Sequence, residues 1–141
     1  MKRLILLFCL IAIGVAKAQD IKFKKGNVFV DDTLAFTYTA DLVGTSIYDL
    51  EGNDFLFLKH IRDNPNVRPD YYLKICFWEH ELCLTTTYIF TRAGLLKRLM
   101  EDGVLSGSQW NEKKLRIFVL KHDENIERQN AYNVDIKIEQ R

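Results

Sequence analysis

Tyr71-Tyr72-Leu73-Lys74-Ile75-Cys76-Phe77-Trp78-Glu79-His80-Glu81-Leu82-Cys83-Leu84-Thr85-Thr86 places two runs of alternating character on either side of a charged centre. Successive side chains of a strand point to opposite faces, so alternation at period two is a strand signal. If the chain turns at Glu79-His80, Phe77 faces Leu82, Ile75 faces Leu84 and Leu73 faces Thr86. The other side then pairs Cys76 with Cys83 and Lys74 with Thr85. One face is nearly all apolar and the other is mixed, as in an antiparallel sheet with one side on a core. A slip by one residue would mix the faces, so the pattern specifies its own register.

The chain before this hairpin reads the same way. Ile21 and Phe23 alternate with lysines, Lys25-Gly26 is a turn, and Val28-Phe29-Val30 follows. Asp31-Asp32 is a second turn, after which Leu34, Phe36 and Tyr38 alternate with smaller residues. Ile47-Tyr48 and Phe55 to Ile61 flank the hairpin tip Glu51-Gly52-Asn53, and the stretch 63–70 holds both prolines and reads as a loop.

Beyond Phe90 the period changes. Leu95, Leu96, Leu99 and Met100 recur at helical spacing, with Thr91 as N-cap and Gly103-Val104 as a glycine stop. A second helix is expected from Asn111, with Trp110 and Leu115 as a hydrophobic staple. The β-branched residues Ile117 and Val119 leave a strand over Leu115–Leu120 as the competing reading. Val134, Ile136 and Ile138 alternate with charged residues and suggest a closing strand. The fold class is α+β: an antiparallel meander of hairpins, then one or two C-terminal helices and a closing strand.

The first 18 residues have another logic. Met1-Lys2-Arg3 is a basic start, Leu4 to Ile13 is continuously apolar, and Ala16-Lys17-Ala18 offers small residues at a cleavage site. These are the parts of a secretory signal peptide, with cleavage expected between Ala18 and Gln19 and a single domain over residues 19–141. The apolar run is short for a membrane span, and no later run approaches the ~18 residues a spanning helix needs. Cys9 lies inside the apolar run rather than after the cleavage site, which argues against lipidation. A periplasmic or secreted location follows as the expectation. Without Lys2, Arg3 and Lys17 the 20 basic residues become 17 against 19 acidic ones, a net charge of −2. No basic stripe is present, so nucleic acid is not an expected partner.

The chain resembles a set of small exported proteins of Bacteroidetes for which no activity is known. The resemblance rests on Ala18-Gln19 with Ile21 to Val28, on the hairpin Ile47 to Asp54, on Leu95-Leu96-Lys97-Arg98-Leu99 running into Gly103-Val104-Leu105, and on Asn111 to Val119. It implies a bacterial envelope setting and a second helix, and it carries over no catalytic residue.

Among groups able to do chemistry, Cys76 and Cys83 stand out. The register sets them opposite one another, at a Cα separation of ~4.5–5.5 Å that suits a disulfide in an oxidising compartment. Glu79-His80-Glu81 reads as a solvated turn rather than a metal site, and His60 and His122 as surface or core-edge residues. Ser106-Gly107-Ser108 lacks the hydrolase elbow pattern and reads as a loop between helices. Asp31-Asp32 reads as a turn and not a catalytic pair. No catalytic, cofactor or metal residue is therefore expected. Tyr72 and Trp78 fall on the mixed face of the central hairpin, near Tyr71, and could form an aromatic binding face unless another layer covers them. The leading functional reading is a non-enzymatic binding or interaction protein of the envelope, of inhibitor or immunity type, with a protein or a glycan as partner. A small hydrolase of cell-wall or glycan bonds and a structural accessory subunit are the alternatives.

Overall fold

The computed structural model describes residues 19–62 and 69–129. Seven strands form one antiparallel sheet in which every strand pairs with its neighbour in sequence. They are β1 (Ile21–Lys24), β2 (Asn27–Val30), β3 (Thr33–Ala40), β4 (Thr45–Tyr48), β5 (Asp54–Arg62), β6 (Tyr71–Phe77) and β7 (Leu82–Thr86). Helix α1 (Arg92–Glu101) follows, then a short hairpin of β8 (Leu105–Ser106) and β9 (Gln109–Trp110), then helix α2 (Glu112–His122). The architecture is the α+β meander expected. Residues 134–138, read as a closing strand, lie outside the described residues.

Local chemistry explains the turns. Lys25 and Gly26 both have positive φ (50° and 82°), as do Asp31 and Asp32 (49° and 63°). Two successive positive-φ residues twist a two-residue connection to match the strands it joins. The β6–β7 register is Leu73–Thr86, Lys74–Thr85, Ile75–Leu84, Cys76–Cys83 and Phe77–Leu82. The link between them is one 3₁₀ turn, Trp78–His80, closed by Glu81 in the left-handed region at φ 53°. Cys76 and Cys83 are joined as a cross-strand disulfide with Cα atoms 4.1 Å apart.

The apolar face of the sheet, with Val28, Phe36, Ile47, Leu56, Leu73, Ile75, Phe77 and Leu84, is buried against Leu95, Leu96 and Leu99 of α1 and Leu115, Phe118 and Val119 of α2. Both caps are as the sequence suggested: Thr91 Oγ1 accepts the Gly94 N–H at 2.9 Å, and Asn111 Oδ1 accepts the Lys114 N–H at 3.0 Å. Helix α1 ends with Gly103 at φ 69°, its N–H donating to Met100 O and the Val104 N–H to Leu99 O. That double bond pattern is a Schellman stop.

The mixed face is not open. After α2 the chain folds across it, and a helical turn at 126–129 places Glu127 over β6. The Glu127 carboxylate accepts the Tyr72 hydroxyl at 3.0 Å and the Lys74 ammonium at 2.8 Å. Tyr72 is 1% exposed. Of the two residues of the possible aromatic face, Tyr72 is covered, lying under Glu127, while Trp78 has left the strand for the turn and remains 48% exposed. The same segment seals the free edge of β7. Asp123 Oδ1 accepts the Thr85 N–H at 3.0 Å, the Glu124 N–H donates to Thr85 O at 2.8 Å, and the Glu124 carboxylate accepts the Thr87 N–H. Capping an edge with carboxylates and a turn blocks unwanted strand pairing.

Candidate functional site

In a meander, alternate connections gather at one end. The β2–β3, β4–β5 and β6–β7 turns do so here, and the β8–β9 hairpin lies against two of them. The β4–β5 turn is built on Asp49. Its carboxylate accepts the Glu51 N–H at 3.0 Å, the Asn53 N–H at 2.9 Å and the Asn53 side-chain amide at 2.9 Å. These bonds, the Asn53 side chain foremost, hold the Asp49 carboxyl below its ordinary pKa. Gly52 at φ 88° completes the bend, and Leu50 and Glu51 project into solvent.

Trp110 ties these parts together. Its ring stacks on Phe55 (centroids 4.6 Å apart, 24°) and meets Phe77 edge-on at 5.5 Å. His80 packs edge-on against the same ring at 5.9 Å, with Nδ1 3.6 Å from the Glu112 carboxylate. Trp110 Nε1 and His80 Nε2 are buried without a hydrogen-bond partner. Around this pin lies a cleft of about 380 Å³, bordered by Asp49, Leu50, Glu51, Glu79, His80 and Gln109. A second hollow of about 390 Å³ shares Asp49 and Glu79 and extends to Asp54 and Trp78. Trp78 lies over Phe57, with ring centroids 6.0 Å apart.

The chemistry this allows is limited. Ser108 lines the cleft but makes no hydrogen bond to His80 or to a carboxylate among the described residues. Glu51 and Glu79 likewise meet no base or nucleophile there. Among the described residues no group of three histidine, cysteine, aspartate or glutamate side chains could hold a metal ion. The histidines serve three separate environments. His60 Nδ1 is 2.8 Å from the Tyr71 hydroxyl, His80 packs on Trp110, and His122 packs between Phe90 and Phe118. Burial first, then the charges of Lys121 and Arg98, push the His122 pKa down.

A second hollow surface, of about 620 Å³, runs along α1 beside Tyr88 and Ile89. Its cations are matched internally, with Arg98 paired to Asp102 at 2.9 Å and Lys97 to Glu101 at 4.0 Å. Both surfaces expose apolar side chains, but the carboxylates Glu51, Asp54 and Glu79 at the turn end meet no cation among the described residues. Sequence reasoning missed the hairpin floor of the turn end. Gly107-Ser108 between Leu105-Ser106 and Gln109-Trp110 is a two-residue hairpin signal, with Gly107 at φ 59°. It was obscured because each strand is only two residues long.

The chain matches no protein-family model, no curated protein and no solved structure, so the functional argument rests on this geometry.

Proposed function

We propose that this chain is an exported binding protein of the bacterial envelope, of inhibitor or immunity type, that holds its partner at the three-turn end and turns over no substrate. One observation carries the reading. Leu50 and Trp78, 59% and 48% exposed, stand beside a cleft on turns braced by hydrogen bonds and by the Trp110 stack, and among the described residues no nucleophile–base contact accompanies them. Exposed aromatic and aliphatic anchors on a rigid support are what a protein contact uses. The envelope setting is supported by the leader-like residues 1–18, by the cross-strand disulfide, and by the resemblance to exported Bacteroidetes proteins. None of the described helices is long and apolar enough to cross a membrane.

A hydrolase is the second reading, because Asp49, Glu51 and Glu79 all border the cleft. One comparison separates the two. The processed chain is immobilised and exposed to native envelope extract beside Leu50→Ser/Trp78→Ser, while soluble cell-wall fragments are followed for cleavage. A retained component that the double variant releases, with the fragments intact, is the expected result. Cleavage abolished by Glu79→Gln in a folded protein would establish the hydrolase instead.

A further inference from the structure

We infer that the partner held at the three-turn end is a basic protein, presenting lysine or arginine side chains flanked by apolar ones. The inference rests on the binding reading above and adds the chemistry of the partner. The three turns at this end carry Asp31, Asp32, Asp49, Glu51, Asp54, Glu79 and Glu81, seven carboxylates with no lysine or arginine among residues 31–34, 49–54 and 78–81. The hairpin tip beneath them, Gly107-Ser108-Gln109-Trp110, adds no cation.

Local pairing leaves most of this charge uncompensated. Lys22 reaches Asp32 at 3.3 Å, and the Asp49 carboxylate faces its own turn. Glu51, Asp54, Glu79 and Glu81 are exposed and meet no cation among the described residues. Carboxylates gathered at one end of the sheet give that end a negative potential. A cationic partner is drawn to such a surface, which raises association rates and rejects acidic competitors. The apolar element decides what kind of cation fits. Leu50 borders one hollow and Trp78 the other, while Asp49 and Glu79 border both, so acidic side chains stand between two exposed apolar ones. A free metal ion would leave both side chains in water. A neutral glycan would leave the charge unanswered. A protein surface that sets lysine or arginine side chains between leucine or aromatic ones answers both. The opposite end of the sheet also exposes apolar side chains, Leu42 and Val43, but carries Lys24 and Lys25 in its first turn.

The test uses the processed chain and defined probes: an amphipathic peptide alternating lysine with leucine, its glutamate-for-lysine counterpart, and a neutral chitin oligosaccharide. The lysine peptide is expected to bind, with affinity falling about tenfold or more between roughly 50 and 300 mM salt as screening shortens. Glu51→Gln/Asp54→Asn/Glu79→Gln/Glu81→Gln and Leu50→Ser/Trp78→Ser should each weaken it at least about tenfold while melting like the parent. Equal binding of the glutamate peptide, or full binding by the charge-neutralised variant, overturns the basic partner. Oligosaccharide binding that needs Leu50 and Trp78 but not the carboxylates would overturn it too, while leaving the binding reading intact. Oligosaccharide cleavage would remove both.

Discussion

Cys76 and Cys83 show how much one residue pair can reveal. The apolar alternation Leu73, Ile75, Phe77 against Leu82, Leu84 fixed a register without reference to sulfur, and that register is the one observed. The closed loop spans a sequence separation of only 7, so the bond should contribute near the low end of ~2–4 kcal/mol. Cys76→Ser/Cys83→Ser is expected to fold with a lower melting temperature, and free-thiol titration of the exported, denatured protein should find no free thiol at these positions. Tyr72 is the opposite case. Strand alternation placed it on the mixed face, but its burial depends on Glu127, 55 residues away, which no local pattern reports. Burial, then the hydrogen bond and charge of Glu127, push the Tyr72 pKa up to about 12. A tyrosine raised this way adds stability that is intact below its ordinary pKa of 10.0 and is lost as pH climbs toward about 12. In alkaline absorbance titration the Tyr72 phenol should ionise only near pH about 12, and Glu127→Gln should lower that midpoint.

At the level of elements, helix ends were legible because caps are local. Thr91, Gly103 and Asn111 act within a few residues of themselves. Asn111→Ala should cost about 1 kcal/mol, measured by urea denaturation, since the Lys114 N–H loses its acceptor. The strand alternative for Leu115–Leu120 fails for a packing reason. A helix turns Leu115, Phe118 and Val119 inward and leaves Ile117 and Leu120 in solvent, so of the two β-branched residues that suggested a strand one packs in the core and the other lies outside it. The seal on β7 was not legible, because it depends on where α2 stops relative to a strand 38 residues earlier. Burial opposes the charge of Glu124, but hydrogen bonds from the Thr86 side chain and from the Thr87 N–H and hydroxyl outweigh it and hold the pKa down. The sign follows: this stabilisation is complete above the ordinary value of 4.5 and disappears as pH falls through the lowered one. Amide exchange at Thr87, corrected for intrinsic rates, should rise in strong acid, and Glu124→Gln should show part of that rise already at neutral pH.

For the whole molecule, one core joins the sheet to both helices. Leu99 is fully buried in it, and Leu99→Ala should destabilise the protein by ~2–5 kcal/mol in calorimetry, through lost burial and the cavity left behind. The fold class was readable from periodicity because each hairpin joins two strands that are neighbours in sequence. The candidate site was not, because its parts come from turns near positions 50, 79 and 108 that only the sheet brings together. The pairing order itself has a kinetic meaning. Since each strand of the sheet joins the one just before it, no strand must wait for a distant segment before it can pair. The entropy of closing each loop is therefore small, and the sheet can assemble as a succession of short steps as chain becomes free. Long stretches of sequence are spanned only later, when the two helices and the segment after α2 dock on the sheet. Refolding watched by rapid mixing should show strand signal rising first and burial of Trp110 closing last.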